Sequence, residues 1–126
     1  MFDHVTIRAG DRDASERFYE TVFAPIGIER TGADESFIEW NDFSIARPAP
    51  GEAVTRGVHV GFGAPSRELV DAFWRAGVEA GFESDGEPGP RTEYGDDYYG
   101  GFLLDPDGNS MEAVHFEDGR AGVDHA

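Results

Sequence analysis

Two stretches decide how this chain is read: Phe2-Asp3-His4-Val5-Thr6-Ile7-Arg8 and Gly57-Val58-His59-Val60-Gly61-Phe62. Each alternates apolar and polar residues, the pattern of a half-buried strand. Each carries a histidine inside a segment otherwise written for burial. From 4 to 59 is an offset of 55 residues, and the same offset separates Phe18-Tyr19 from Phe73-Trp74. The chain therefore reads as two copies of one unit.

Working outward, each strand is followed by a helix start. Asp13 with Glu16 three residues on has the form of a capping box, and Ser66 after Pro65 opens the second apolar run. Ala14, Phe18, Val22 and Ile26 then line one helix face, and Leu69, Phe73, Gly77 and Ala80 line the other. Gly27 and Gly81 are expected left-handed C-caps. Strands are predicted over residues 27–31, 36–40 and 43–47 in the first copy, with Asn41-Asp42 as a hairpin turn. In the second copy they are predicted over residues 82–85, 98–104 and 110–116, with Asp105-Pro106-Asp107-Gly108-Asn109 as a turn and residues 86–97 as a long loop. The expected organisation is one α+β domain over residues 1–116: a βαβββ module at 1–47, a linker at 48–56 and a second module at 57–116. The two modules are expected to form a curved mixed sheet around a concave cup, with residues 117–126 as a mobile tail.

Composition bounds the function. A chain of 126 residues has room for one core and not for a large multi-domain enzyme. It has 26 acidic residues against 10 basic ones, every one of them Arg, and a net charge of -16, which disfavours nucleic acid and anionic lipid as partners. The excess acid and missing Lys fit a halophilic or high-GC source. With no cysteine, any metal must be held by nitrogen and oxygen. No apolar run spans a membrane and no secretory leader is seen in the first residues, so the expectation is a cytoplasmic protein.

A lone strand histidine is commonly structural, but His4 and His59 sit at equivalent places and would approach each other if the copies face across a two-fold. Glu112, in Ser110-Met111-Glu112-Ala113-Val114, points away from Met111 and Ala113, and a carboxylate buried there needs a partner. Two imidazoles and a carboxylate make a set for a borderline divalent ion such as Fe, Mn, Ni, Zn or Co; an edge-exposed acid is the plainer alternative for Glu112. Arg8 and Arg47 are candidates to grip a carboxylate or phosphate, with solvated surface arginine as the alternative. Arg91, Glu93, Tyr94 and Tyr98 lie in or beside the long loop and form a candidate rim; Glu93 and Tyr98 are the candidate acid–base groups. Trp40 and Trp74 are assigned to the core or an interface, and His115 and His125 are excluded from the site.

The doubled βαβββ unit, the His in each first strand and the ending Asp105-Pro106-Asp107-Gly108-Asn109-Ser110-Met111-Glu112 resemble the glyoxalase/bleomycin-resistance/dioxygenase (vicinal oxygen chelate) superfamily. The Phe18-Tyr19 pair and the Tyr98-Tyr99-Gly100-Gly101-Phe102 strand are similar to its glyoxalase-like branch. The resemblance implies His4, His59 and Glu112 as metal ligands and a homodimer, whose cup is built within one chain or across two. It puts the fourth ligand near Ala46, or Ile45 with a one-residue slip, and neither binds metal. What it implies is a metal-dependent glyoxalase-like or dioxygenase-like enzyme acting on a small oxygenated metabolite. The alternative is a metal-free small-molecule-binding protein of the bleomycin-resistance kind.

Overall fold

The computed structural model describes residues 1–117; the tail expected at 117–126 lies, apart from Glu117, outside the described residues. The first module runs β1 (Val5–Arg8), α1 (Arg12–Phe23), a 3-10 turn (Ala24–Ile26), β2 (Gly32–Ala33), β3 (Phe37–Trp40) and β4 (Phe43–Ala46). The second runs β5 (His59–Gly63), α2 (Arg67–Glu79), β6 (Glu83–Pro90), β7 (Tyr98–Leu104) and β8 (Ser110–Phe116). The sheets have matching orders, β1-β4-β3-β2 and β5-β8-β7-β6. In each, the first and last strands of the module pair in parallel and the remaining neighbours antiparallel. The duplication read from the sequence is therefore a duplication of topology. The mixed sheet is made as two four-stranded sheets, one per module, with β1 and β5 each at the edge of its own sheet.

Local chemistry accounts for most boundaries. Ser66 caps α2 by accepting from the Leu69 amide, as expected, whereas α1 is capped by Asp11, which accepts from Ala14, and not by Asp13. Gly27 at φ 78° and Asn41 at φ 60° take the left-handed conformations that end the first helical stretch and turn the β3–β4 hairpin. β2 begins after the predicted 27–31 because pairing with β3 starts only at Thr31, whose amide donates to the Glu39 carbonyl at 2.8 Å. β6 continues to Pro90 through residues read as loop. It tolerates Gly86, Pro88 and Pro90 because it is an edge strand with interrupted register.

One core joins the modules. Phe18, Tyr19, Val22 and Phe23 of α1, Val70 and Phe73 of α2, Ile7, Trp40, Phe43 and Ile45 of the first sheet, and Leu103, Met111 and Ala113 of the second are all buried in it. Phe62 of β5 meets Phe23 and Phe43 edge-on at 4.8 and 5.2 Å. Gly77 lets α2 approach this close, since a Cβ there would lie 2.5 Å from Leu103. No described helix is long and apolar enough to cross a membrane.

A second tie is polar. The Tyr19 hydroxyl donates to Asp105 Oδ2 at 2.6 Å, from α1 to the turn that launches β8. Asp105 also accepts from the Asp107 and Asn109 amides and from Asn109 Nδ2, so it organises the turn from within. Burial, then the nearby Asp105 charge, pushes the Tyr19 phenol well above the usual range. The fold thus prefers the protonated phenol, and this contribution is fully present below about pH 10 and lost as pH rises through the raised value. Tyr19→Phe is expected to lose about 1–3 kcal/mol in urea unfolding at neutral pH and to flatten the alkaline fall in stability; unchanged stability would show that the bond contributes nothing.

Candidate active site

Alternation along β5, β7 and β8 sends Val60, Phe62, Leu103, Met111 and Ala113 to the core. It sends His59, Gly61, Tyr98, Gly100, Phe102, Ser110 and Glu112 to the other face. That face, with Asp85 of β6 and Arg91, Glu93 and Tyr94 of the following loop, lines a cavity of about 650 Å³. Glu112 lies on its floor with 2% exposure, which settles the choice between a buried and an edge-exposed acid.

Both oxygens of Glu112 are engaged. Oε1 is 2.8 Å from His59 Nε2, and Oε2 accepts from the Tyr98 hydroxyl in a very short contact. On β7 the carboxylate has space because residue 100 is glycine, whereas a side chain at 61 would make only ordinary contact with it. A Cβ on Gly100 would sit 2.7 Å from Oε2, and one on Gly61 3.7 Å from Oε1. His59 stacks on Phe102 at 5.8 Å, and its Nδ1 lies 3.1 Å from Ser110 Oγ, which in turn donates to Asp85 Oδ2 at 2.8 Å. Burial, followed by the bond and charge of Glu112, pushes the Tyr98 phenol far up. Tyr98 is therefore a donor that holds Glu112.

Arg91 lies over the Phe102 ring at 5.2 Å and is pinned by the carbonyls of Glu87, Gly89 and Pro90 at 2.7, 3.0 and 3.3 Å. Tyr94 and Tyr98 pack at 5.2 Å on the rim. Of the residues singled out in the sequence, the cavity thus gathers His59, Glu112, Arg91, Glu93, Tyr94 and Tyr98. It does not gather His4, whose side chain is 66% exposed and whose Nδ1 meets only Asp3 at 2.9 Å. Arg8 and Arg47 also lie outside it. Arg8 is engaged by Glu52 at 3.0 Å and Arg47 by the Glu35 carbonyl at 3.4 Å, both on the first module. Asp85, Phe102 and Ser110 were missed. Ser110 and Phe102 were readable as the residues two before and directly across from Glu112, whereas Asp85 became visible only when β6 proved to border the cavity.

The register also fixes the fourth position. Gly61 lies opposite Glu112 and, in the first module, Thr6 lies opposite Ser44. Ser44, rather than Ala46 or Ile45, is the counterpart of Glu112; it is buried and shares a 2.8 Å hydrogen bond with Thr6 Oγ1. An imidazole nitrogen and a carboxylate oxygen 2.8 Å apart suit a borderline divalent ion as adjacent donors. Among the described residues no three His, Asp or Glu side chains converge as a group that could hold a metal ion.

Gly100→Ala, by displacing the carboxylate, and Glu112→Gln, by removing its charge, are both expected to let the Tyr98 phenol fall back toward its ordinary value near 10. Tyrosinate absorbance at about pH 11 should then exceed wild type in both, with Tyr98→Phe identifying the signal. Equal absorbance in all would contradict the contact.

Residues 1–113 match the family described as the Glyoxalase/Bleomycin resistance protein/Dioxygenase superfamily. Among solved structures, a glyoxalase/bleomycin resistance protein from Albidiferax ferrireducens T118 is 34% identical, with a TM-score of 0.82 over 91% of this chain and 98% of that one. A lactoylglutathione lyase from Agrobacterium tumefaciens (21% identity, TM-score 0.68, 91% and 92% coverage) shares the fold. So does a glyoxalase/dioxygenase from Nostoc punctiforme (18%, 0.66, 92% and 90%). No curated protein sequence matches the chain. With the doubled topology, the His59–Glu112 pair and this match over nearly its whole length, the chain belongs to the glyoxalase/bleomycin resistance protein/dioxygenase superfamily.

Proposed function

We propose that this protein is a metal-dependent, glyoxalase-like or dioxygenase-like enzyme acting on a small oxygenated metabolite held in the cavity over β5, β7 and β8. The observation that carries this reading is the buried Glu112 carboxylate facing His59 Nε2 at 2.8 Å on the cavity floor. His59 and Glu112 would hold a divalent ion of the Fe, Mn, Ni, Zn or Co kind. Such an ion would act as a Lewis acid on a substrate oxygen and stabilise negative charge developing there. The chain's own groups do the rest. Tyr98 fixes the orientation of Glu112, Phe102, Tyr94 and Tyr98 offer ring faces to the substrate and shield it from water, and Glu93 accepts a proton at the rim.

The third ligand in this reading is His4 of a second copy. Supporting it, β1 and β5 are both open edges, and an open edge presents unpaired amides and carbonyls to another strand. Phe2 and Val5, beside His4, are exposed apolar side chains that an interface would cover. In a two-fold dimer β1 of each subunit would meet β5 of the other, carrying His4 toward the second subunit's cavity.

One observation favours the alternative, a metal-free small-molecule-binding protein: Ser44 stands where a fourth ligand would. Metal content and oligomeric state separate the two. Protein purified without chelator is expected to be a dimer carrying about one equivalent of divalent transition metal per site, lost in Glu112→Ala and reduced in His4→Ala. EDTA treatment should abolish turnover and lower the melting temperature. A metal-free wild type that resists reconstitution yet retains ligands in EDTA would establish the binding-protein reading instead.

A further inference from the structure

Arg91 is the arginine that lines the cavity, and among the described residues no carboxylate stands within ion-pair distance of it. In so acidic a chain other arginines are met by acid: Arg8 by Glu52 at 3.0 Å, Arg30 by Glu16 and Glu20 at 2.6 and 2.8 Å, and Arg67 by Glu117 at 2.8 Å. Arg91 is held by neutral groups instead. Nη1 donates to the Gly89 and Pro90 carbonyls at 3.0 and 3.3 Å, and Nη2 to the Glu87 carbonyl at 2.7 Å. These bonds orient the guanidinium without cancelling its charge. Of the five N–H groups an arginine carries, they leave the one on Nε and one on Nη2 uncommitted. The edge strand is shaped to this end. β6 skips register between Gly86 and Gly89, so Glu87 falls out of the ladder and its carbonyl turns to Arg91. A Cβ at Gly89 would stand 3.3 Å from Nη1, and one at Gly86 3.2 Å from Phe102 Cδ1, both tighter than ordinary contact. The backbone of Arg91 is fixed too, its amide donating to the Tyr98 carbonyl at 3.0 Å.

We propose that Arg91 determines the specificity of the site, selecting small substrates that bear a singly charged carboxylate gripped by the free Nε–H and Nη2–H. Its role toward a substrate rests on the proposed function above, whereas the anion site rests on the geometry. The guanidinium lies 5.2 Å over the Phe102 ring, and His59 stacks on the same ring at 5.8 Å. A carboxylate on Arg91 is thus set off from the His59–Glu112 pair by about one phenyl ring, which fits a compact acid whose reacting oxygen lies at its other end. A carboxylate offers two oxygens to two N–H groups in a charge-assisted pair. A phosphate dianion would bring a second negative charge among Asp85, Glu93 and Glu112, which line the same cavity.

The test uses the full-length protein and matched probes: acetate, levulinate and 4-hydroxybenzoate, each against its own amide, with inorganic phosphate alongside. Calorimetry on the protein as purified and after EDTA treatment separates coordination of an acid to a metal from its capture by Arg91. At least one acid is expected to bind about tenfold or more tightly than its amide in both preparations. In Arg91→Gln that preference should disappear while amide binding stays, which shows the cavity intact. Arg91→Lys, a charge without the fork, should keep only part of it. Acids that bind no better than their amides, or a preference that survives Arg91→Gln or is undiminished in Arg91→Lys, overturn the proposal. Phosphate binding more tightly than every acid overturns the assignment to carboxylates. A protein that takes up no Co2+ yet prefers acids through Arg91 would refute the metal-dependent reading and leave the anion site standing.

Discussion

A carboxylate on the floor of a cavity, with 2% of its surface exposed, is the constraint around which the second module is organised. Burying such a group without partners is costly, and removing one member of a buried charged set leaves the others uncompensated. Glu112 meets that constraint with a phenol on one oxygen and an imidazole on the other. The glycine at 100 follows from it, since a Cβ there would press on the carboxylate at 2.7 Å. The parallel pairing of β5 with β8, shared with the first module, sets His59 opposite Ser110 and Gly61 opposite Glu112.

The two modules share a topology and differ in what their outer faces hold. In the first, the place of Glu112 is taken by Ser44, which spends its hydrogen bond on Thr6, and the arginines nearby are tied to Glu52 and a backbone carbonyl. That face carries no buried charge. Its remaining distinctive feature is the open edge of β1 with His4 at its start, whereas the second module keeps the charged groups, the aromatic wall and the loop.

The fold was legible because its signals are local and repeated: two alternating strands at one offset, two amphipathic helices and an Asp-Pro-Asp-Gly-Asn turn. Boundaries went astray where long-range pairing overrode local composition, as in β6, whose glycines and prolines read as loop until the neighbouring β7 gave them a ladder to join. Within the site, Glu112 and His59 were readable because strand parity puts them on one face. The Tyr98 contact and the Asp85–Ser110 chain were not, because they depend on which strands are neighbours. His4 illustrates the limit of pseudo-symmetry. Sequence equivalence puts it within the first strand, but β1 begins only at Val5, so His4 precedes it, and equivalence within one chain does not bring the two histidines together when the sheets are separate.

The proposed function requires His59 and Glu112 to form one half of a metal site completed by a second copy. Anomalous diffraction from crystals of the Zn2+- or Co2+-loaded protein tests it most directly. The expected result is a single strong peak per subunit within bonding distance of His59 Nε2 and a Glu112 oxygen, with His4 of the neighbouring subunit as the third protein ligand. A peak elsewhere, or none at this pair with His4 still solvent-exposed in the assembled protein, would contradict it.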